Sequence, residues 1–250
     1  MSIKIIQSCD VGKHEEMLNY TSTVNSSYAI KFGHTYNKFV GNKKSGYGGN
    51  FNEIYLLNEE LNKSRLLSFD WIIWVDSDAF FWDHSINIQN FIDSNSSYAI
   101  IGATGSPVND GSAGIGLTKI QSEADINNGV LFYNTRHPQT KSIIEKWIQS
   151  VESHDGETHD GEKGGSWEIP QYYLNEAISD LQLTGNNIIK ALDGDDYQLI
   201  NYEGSMIRHV LDDTDEFHIN NNRNGMRFTW TGYDWDQRLE LVKQWTSEIN

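Results

Sequence analysis

Hydrophobic and polar positions along the chain change period several times, and each change predicts an element. Ile3–Ser8 is a run of strand formers. His14–Val24 spaces its apolar residues as a helix does, and Ala29–Phe32 reads as a second strand leading into a polar loop, Lys31–Gly49. Phe51–Leu61 puts Ile54, Leu57 and Leu61 on one helical stripe with Phe51 at its edge. Trp71–Val75 is apolar at every position, as expected of a central strand covered on both faces. Further strands are predicted at Ala99–Ala103, Val130–Tyr133, Ile188–Leu192 and Gln198–Tyr202. Helices are predicted at Pro138–Val151, with Pro at its start, at Pro170–Leu181 and at Trp235–Ile249.

Strands alternate with helices through the first half, which predicts an α/β fold with a sheet covered by helices. No linker or shift of composition divides the chain, so one domain is expected over residues 1–250. Its second half, from about residue 106, has longer loops and short strands, which fits a half that faces an acceptor or other ligand.

The apolar strand Trp71–Val75 ends in Asp76-Ser77-Asp78, followed by Ala79-Phe80-Phe81-Trp82-Asp83. Two carboxylates spaced i, i+2 at a strand end project the same way. Two hard oxygen donors at one point suit Mg²⁺ or Mn²⁺, and such ions commonly hold a substrate's phosphates. The carboxyl ends of strands in an α/β sheet are also where ligands bind. The alternative is a plain turn, since Asp and Ser serve turns and helix caps well.

Charge sharpens the first alternative. With 35 acidic and 19 basic residues the chain carries a net charge of −16, which argues against nucleic acid or an anionic membrane as partner. A phosphate-bearing ligand would therefore need a metal ion or a few local cations. Arg208, Arg223 and Arg227 are candidates. The single cysteine, Cys9, excludes an internal disulfide and fits a reducing compartment. The chain opens directly into a strand, and it has neither a signal-peptide pattern nor a membrane-length apolar run. A cytoplasmic protein is expected, soluble or peripheral.

Four later segments carry candidate chemistry. Asn127-Asn128-Gly129 precedes a strand; amides suit sugar hydroxyls and Gly allows close approach, although Asn-Gly is also a strong hairpin-turn signal. Trp167-Glu168-Ile169-Pro170-Gln171 enters a helix, where Glu168 and Gln171 either meet a ligand or only start the helix. His209, in Met206-Ile207-Arg208-His209-Val210, is either a packed structural histidine or a third metal ligand. The repeated His-Asp-Gly-Glu of residues 154–162 reads more economically as a mobile solvated loop than as a second metal site.

In this order, Trp-Val-Asp-Ser-Asp-Ala, Asn-Asn-Gly-Val-Leu-Phe-Tyr-Asn, Trp-Glu-x-x-Gln and a late His resemble nucleotide-sugar-dependent glycosyltransferases of the GT-A fold. The pattern is most similar to the alpha-galactosyl/alpha-xylosyltransferase family, glycosyltransferase family 34, or a bacterial or viral relative of it. It covers roughly residues 1–215 and is strongest at Trp71–Asp83 and Asn127–Thr135. The resemblance implies a Rossmann-like, mostly parallel sheet with a small second sheet, its first part, to about residue 105, binding the nucleotide and the remainder, from about 106, facing the acceptor. It implies a Mn²⁺ or Mg²⁺ ion on Asp78, with His209 completing the site and Asp76 on the metal or the donor ribose. It also implies a UDP-linked sugar donor and a glycan or other hydroxyl acceptor, with transfer by retention. Asn127 and Asn128 would lie near the donor sugar, and Glu168 and Gln171 near the anomeric carbon. Ser77, Cys9, Lys31 and Arg208 are further donor-side candidates, because the nucleotide would lie over Ser8–Val11 and Lys31–His34. Tyr36 or Tyr47 would stack on its base, and Trp82 and Trp167 on acceptor sugars. Asn128 stands where the family has Thr, and Val210-Leu211-Asp212-Asp213 follows the His where the family has small and basic residues. Two other classes compete: a lectin-like sugar-binding module, and a metal-dependent phosphohydrolase using Asp76.

Overall fold

A computed structural model describes residues 1–64, 68–104, 126–153, 158–159, 162–163, 168–183, 187–192, 196, 199–200, 204–210 and 235–249. Six strands form the central sheet, in the order β2 (Thr35–Val40), β1 (Ile3–Cys9), β3 (Trp71–Val75), β6 (Ile126–Asn134), β5 (Ile100–Thr104), β9 (Ile189–Leu192). β1 runs parallel to both β2 and β3, and β9 runs parallel to β5, while β6 is antiparallel to β3 and β5. A second, two-stranded sheet pairs β4 (Ala79–Phe81) with β10 (Ile207–His209). The expected α/β architecture, a helix-covered and mostly parallel sheet with a small second sheet, is what the chain adopts.

Period-two alternation gives the sheet two buried faces. Ile6, Ile72, Trp74, Leu131 and Tyr133 pack under α2 (Asn52–Leu61), α4 (Pro138–Ser153) and α5 (Glu168–Asp180). Ile3, Ile5, Trp71, Ile73, Val75 and Phe132 pack under α1 (Lys13–Phe32) and α3 (Ile88–Ser94). The closing helix α6 (Trp235–Glu248) lays Leu239 and Val242 against Met17 and Val24 of α1, Phe80 of β4 and Val210.

Four expectations need correction. Ala29–Phe32 is the last turn of α1, and the second strand is Thr35–Val40, inside the segment read as a loop. The apolar run of Tyr28, Ala29, Ile30 and Phe32 follows a helical stripe rather than an alternation, and Gly33 ends the helix in a left-handed conformation with φ 71°. Leu199 and Ile200, the described part of the expected strand Gln198–Tyr202, form a turn. Asn127-Asn128-Gly129 lies within β6, which begins at Ile126, so it is not a hairpin turn. In the loop of residues 154–162, Thr158–His159 (β7) belongs to a short hairpin with Glu162–Lys163 (β8); the other residues of that loop lie outside the described set, as do Trp167, Arg223 and Arg227.

Candidate metal centre

Asp76, Asp78 and His209 meet at the carboxyl end of β3. One ligand atom from each lies within 4.8 Å of the others, the one such trio among the described residues. Asp76 and Asp78 flank the tight turn between β3 and β4. His209 arrives on β10, where pairing places it opposite Ala79, and the Val210 N–H donates to the Asp78 carbonyl at 3.1 Å. Its Nε2 stands 3.3 Å from Asp78 Oδ1 and 4.0 Å from Asp76 Oδ2.

Gly129 makes room for that imidazole. A Cβ there would sit 2.1 Å from His209 Cε1, so only Gly lets β6 pass beneath the ring. The close approach expected of this Gly is made by a protein side chain. The Gly129 carbonyl in turn accepts from the Asp76 N–H at 2.8 Å, tying β6 to the turn.

A buried polar network holds the turn from below. Gln7, on β1, donates through Nε2 to the carbonyls of Asp76 at 2.8 Å and Ala79 at 3.1 Å, and to Thr21 Oγ1 at 3.0 Å. Thr21 donates to the Ser77 carbonyl at 2.8 Å. Asn25 donates to Gln7 Oε1 and to the Ala79 carbonyl and accepts from Phe81 N–H; Tyr36 OH donates to Gln7 Oε1 at 2.7 Å. Gln7, Thr21 and Asn25 are fully buried. Every polar atom of such a group must be paired, and this one pairs main-chain carbonyls that no strand reaches.

The carboxylates differ electrostatically. The surrounding protein, then the charge of Asp78, pushes the Asp76 carboxyl up to about 7, against the pull of His209 and Trp74. Burial works the same way on Asp78, but His209 and Arg238 outweigh it and hold that carboxyl below the ordinary range. Two carboxylates and an imidazole this close form an anionic donor set of hard oxygens and one borderline nitrogen, and the mutual repulsion felt at Asp76 is what a divalent cation relieves. The residues fit Mn²⁺ or Mg²⁺.

The other sequence candidates divide. Asn128, on β6, gives its N–H to Gln171 Oε1 at 3.3 Å, so α5 and β6 bring Gln171 next to the residue beside Gly129. Asn175, one turn on, clamps both main-chain groups of Ile126 at 2.9 and 3.0 Å and fixes that register. Asn127 turns its Oδ1 back to the Gly129 N–H at 2.8 Å. Glu168 starts α5 one turn before Gln171. Cys9 is buried at the end of β1; burial and then the charges of Asp10 and Glu15 push its thiol up to about 12, so it stays a thiol. Lys31 is not brought near the trio. It lies in the last turn of α1, before β2 begins opposite Lys4, at the far end of the parallel strands. Arg208 points away from His209 by strand alternation and stacks between Trp82 at 3.3 Å and Trp245 at 4.4 Å. Tyr36 spends its hydroxyl on Gln7, and Tyr47 packs edge-on to Phe51.

Sequence reading missed Trp74, whose Nε1 donates to Asp76 Oδ1 at 3.0 Å, and Arg238, which pairs with Asp78 from α6. It also missed Glu53, buried on α2, which accepts from Tyr133 OH at 2.7 Å and from Asn128 Nδ2 at 3.4 Å. Trp74 was findable, being two residues from Asp76 on the same strand face. Nothing local marks a helical Glu or an Arg 160 positions from its partner.

No family model and no curated protein matches the chain. Solved structures do. A glycosyltransferase involved in the glycosylation of the major capsid of PBCV-1 aligns over 98% of this chain and 100% of its own, with a TM-score of 0.60 and 13% identity. The galactosyltransferase LgtC, solved with donor and acceptor sugar analogs, aligns over 99% of this chain and 96% of its own, with a TM-score of 0.52 and 12% identity. The chain has the GT-A glycosyltransferase fold. At that identity the likeness speaks to architecture, so the chemistry rests on the trio and its surroundings. No helix of the GT-A unit, among the described residues, is long and apolar enough to cross a membrane.

Proposed function

We propose that the chain is a metal-dependent glycosyltransferase that moves a sugar from a nucleoside-diphosphate donor, with UDP as its nucleotide, to a glycan or other hydroxyl acceptor. The carrying observation is the convergence of Asp76, Asp78 and His209 at the carboxyl end of β3 in a GT-A fold. Mn²⁺ or Mg²⁺ bound there would supply Lewis-acid stabilisation of the departing diphosphate. The remaining roles belong to the chain itself. Gly129 seats His209, the Gln7 network fixes the turn, and Asn127 and Asn128 line the donor-sugar side. Gln171, held by Asn128, lies beside the reacting carbon with Glu168 one turn away, and transfer proceeds with retention. Residues 1–250 act as one domain, and kinship to glycosyltransferase family 34 is part of the proposal. Arg208 serves as the stacked link between β10 and α6 rather than as a phosphate ligand.

Calorimetry against a panel of nucleotide sugars, with and without Mn²⁺, tests this. Tight binding of one donor only when Mn²⁺ is present is expected. Binding of none, with or without metal, would sink the transferase reading.

A further inference from the structure

Each carboxylate of the trio has one oxygen already engaged by a nitrogen donor from outside it. Trp74 Nε1 donates to Asp76 Oδ1 at 3.0 Å, and Arg238 Nη2 donates to Asp78 Oδ2. The two other oxygens, Asp76 Oδ2 and Asp78 Oδ1, are the ones that face His209 Nε2, at 4.0 and 3.3 Å. Both clamps are themselves fixed. Trp74 is buried within β3, and Arg238 is buried with its Nε donating to the Val210 carbonyl at 3.0 Å. Arg238 therefore locks Asp78 and, through Val210, the end of the strand that carries His209. A guanidinium–carboxylate bond is among the stronger hydrogen bonds, and a planar guanidinium cannot rotate away while its Nε is held.

We infer that Trp74 and Arg238 restrict Asp76 and Asp78 to one metal-facing oxygen each, and so select a small octahedral cation over Ca²⁺. The inference rests on the metal site proposed above and goes on to which ion that site takes. Ca²⁺ is bound with six to eight oxygens, commonly from carboxylates using both oxygens; Mg²⁺ demands near-ideal octahedral geometry, and octahedral sites also suit Mn²⁺. Two single oxygens and one imidazole nitrogen give three protein donors. That leaves half of an octahedron for diphosphate oxygens and water, and too few protein oxygens for Ca²⁺. Trp74 and Arg238 are positioning residues, since neither touches the ion.

Mn²⁺ binding followed by electron paramagnetic resonance, with Ca²⁺ as competitor, tests the inference on the wild-type chain and on Arg238→Met, Arg238→Lys and Trp74→Phe. The wild type should prefer Mn²⁺ strongly. Arg238→Met should reduce the Mn²⁺-over-Ca²⁺ preference by about tenfold, as loss of a residue that orients a ligand does, because Asp78 is then free to offer both oxygens. Arg238→Lys, which keeps the charge but not the planar fork that bonds Val210 and Asp78 together, should fall between Arg238→Met and the wild type, and Trp74→Phe should lower the preference by a smaller factor than Arg238→Met. Merely structural damage would weaken both ions together, so an unchanged ratio in Arg238→Met overturns the inference. Should Arg238→Met fail to fold, Trp74→Phe decides alone: a lowered ratio supports the inference and an unchanged one overturns it. A wild type that binds both ions equally overturns the selectivity claim while leaving the metal site standing. A wild type that binds neither removes both.

Discussion

The two faces of the central sheet are both buried, yet they support the site by different means. Under α2, α4 and α5 the packing is apolar almost to the strand ends, and one acid, Glu53, reaches the site side by accepting from Tyr133 and Asn128. Under α1 the apolar packing of Ile3, Ile5 and Ile73 gives way at the strand ends to Gln7, Thr21 and Asn25. The first face positions β6, through Glu53 on the Asn128 side chain and through Gln171 and Asn175 on the main chain of Asn128 and Ile126; the second positions the main chain of the Asp76–Ala79 turn. The only titratable member of this network of amides and hydroxyls is the Tyr36 phenol, which burial pushes above its ordinary value, so the turn that presents the carboxylates is held alike from acid to mildly alkaline pH. The acid on the other face does titrate, and Asn128 inherits that sensitivity.

The sharpest way to break this contrast is Gln7→Leu. It removes five hydrogen bonds of this buried side chain, to the carbonyls of Asp76 and Ala79 and to the side chains of Thr21, Asn25 and Tyr36. Each such bond contributes about 0.5–1.5 kcal/mol, so a loss of about 3 kcal/mol or more is expected in denaturant unfolding, together with weaker Mn²⁺ binding. A loss below about 1 kcal/mol would mean that the network is not holding the turn.

Gly129→Ala comes next. The methyl group collides with His209, so Mn²⁺ affinity should fall by about tenfold with a stability loss of about 1–3 kcal/mol. Calorimetric Mn²⁺ titration reads the first and thermal unfolding the second. Wild-type metal affinity in this variant would show that His209 stands outside the metal site.

Glu53→Gln should have the smallest effect and the most informative shape. Burial, offset in part by the bond from Tyr133, pushes the Glu53 carboxyl well above its ordinary value of 4.5. The folded chain then keeps a proton that the unfolded chain releases. The stability Glu53 contributes is complete below its ordinary pKa and declines as pH rises toward the folded value. Gln cannot ionise, so the variant should lose that decline, and its stability relative to the wild type should rise with pH in chemical unfolding across pH. Parallel pH profiles would contradict a raised carboxyl. The matching Thr21→Val variant, on the neutral face, should lose stability equally at every pH.

What the sequence shows and hides follows the same contrast. β3 and its two aspartates were legible because an apolar run ending in carboxylates is visible within a dozen residues. The seat of His209 was visible only as an Asn-Gly pair, which turn chemistry explains as well. α1 was cut short because its buried stripe is polar where it serves the turn: Thr21, Ser22 and Asn25 stand where apolar residues mark a helix face, and this erased the period. With the helix carried to Phe32, the second strand moves to Thr35–Val40, and Lys31 lies at the opposite end of the parallel strands from the Asp76–Asp78 turn. α3 was overlooked although Asn87 caps it by accepting from the Gln89 N–H, a signal present in the sequence. Arg238 and Glu53 gain their meaning only from contacts across the fold.

The central claim is that Asp76, Asp78 and His209 act together as one metal site for a nucleoside diphosphate. Calorimetric titration of UDP into the wild type, Asp78→Ala and His209→Ala, each with and without Mn²⁺, tests it most directly. The account predicts that UDP binds the wild type with Mn²⁺, and that both variants lose the Mn²⁺-dependent part. Equal UDP binding with and without metal, or Mn²⁺-dependent binding that survives in both variants, would contradict it.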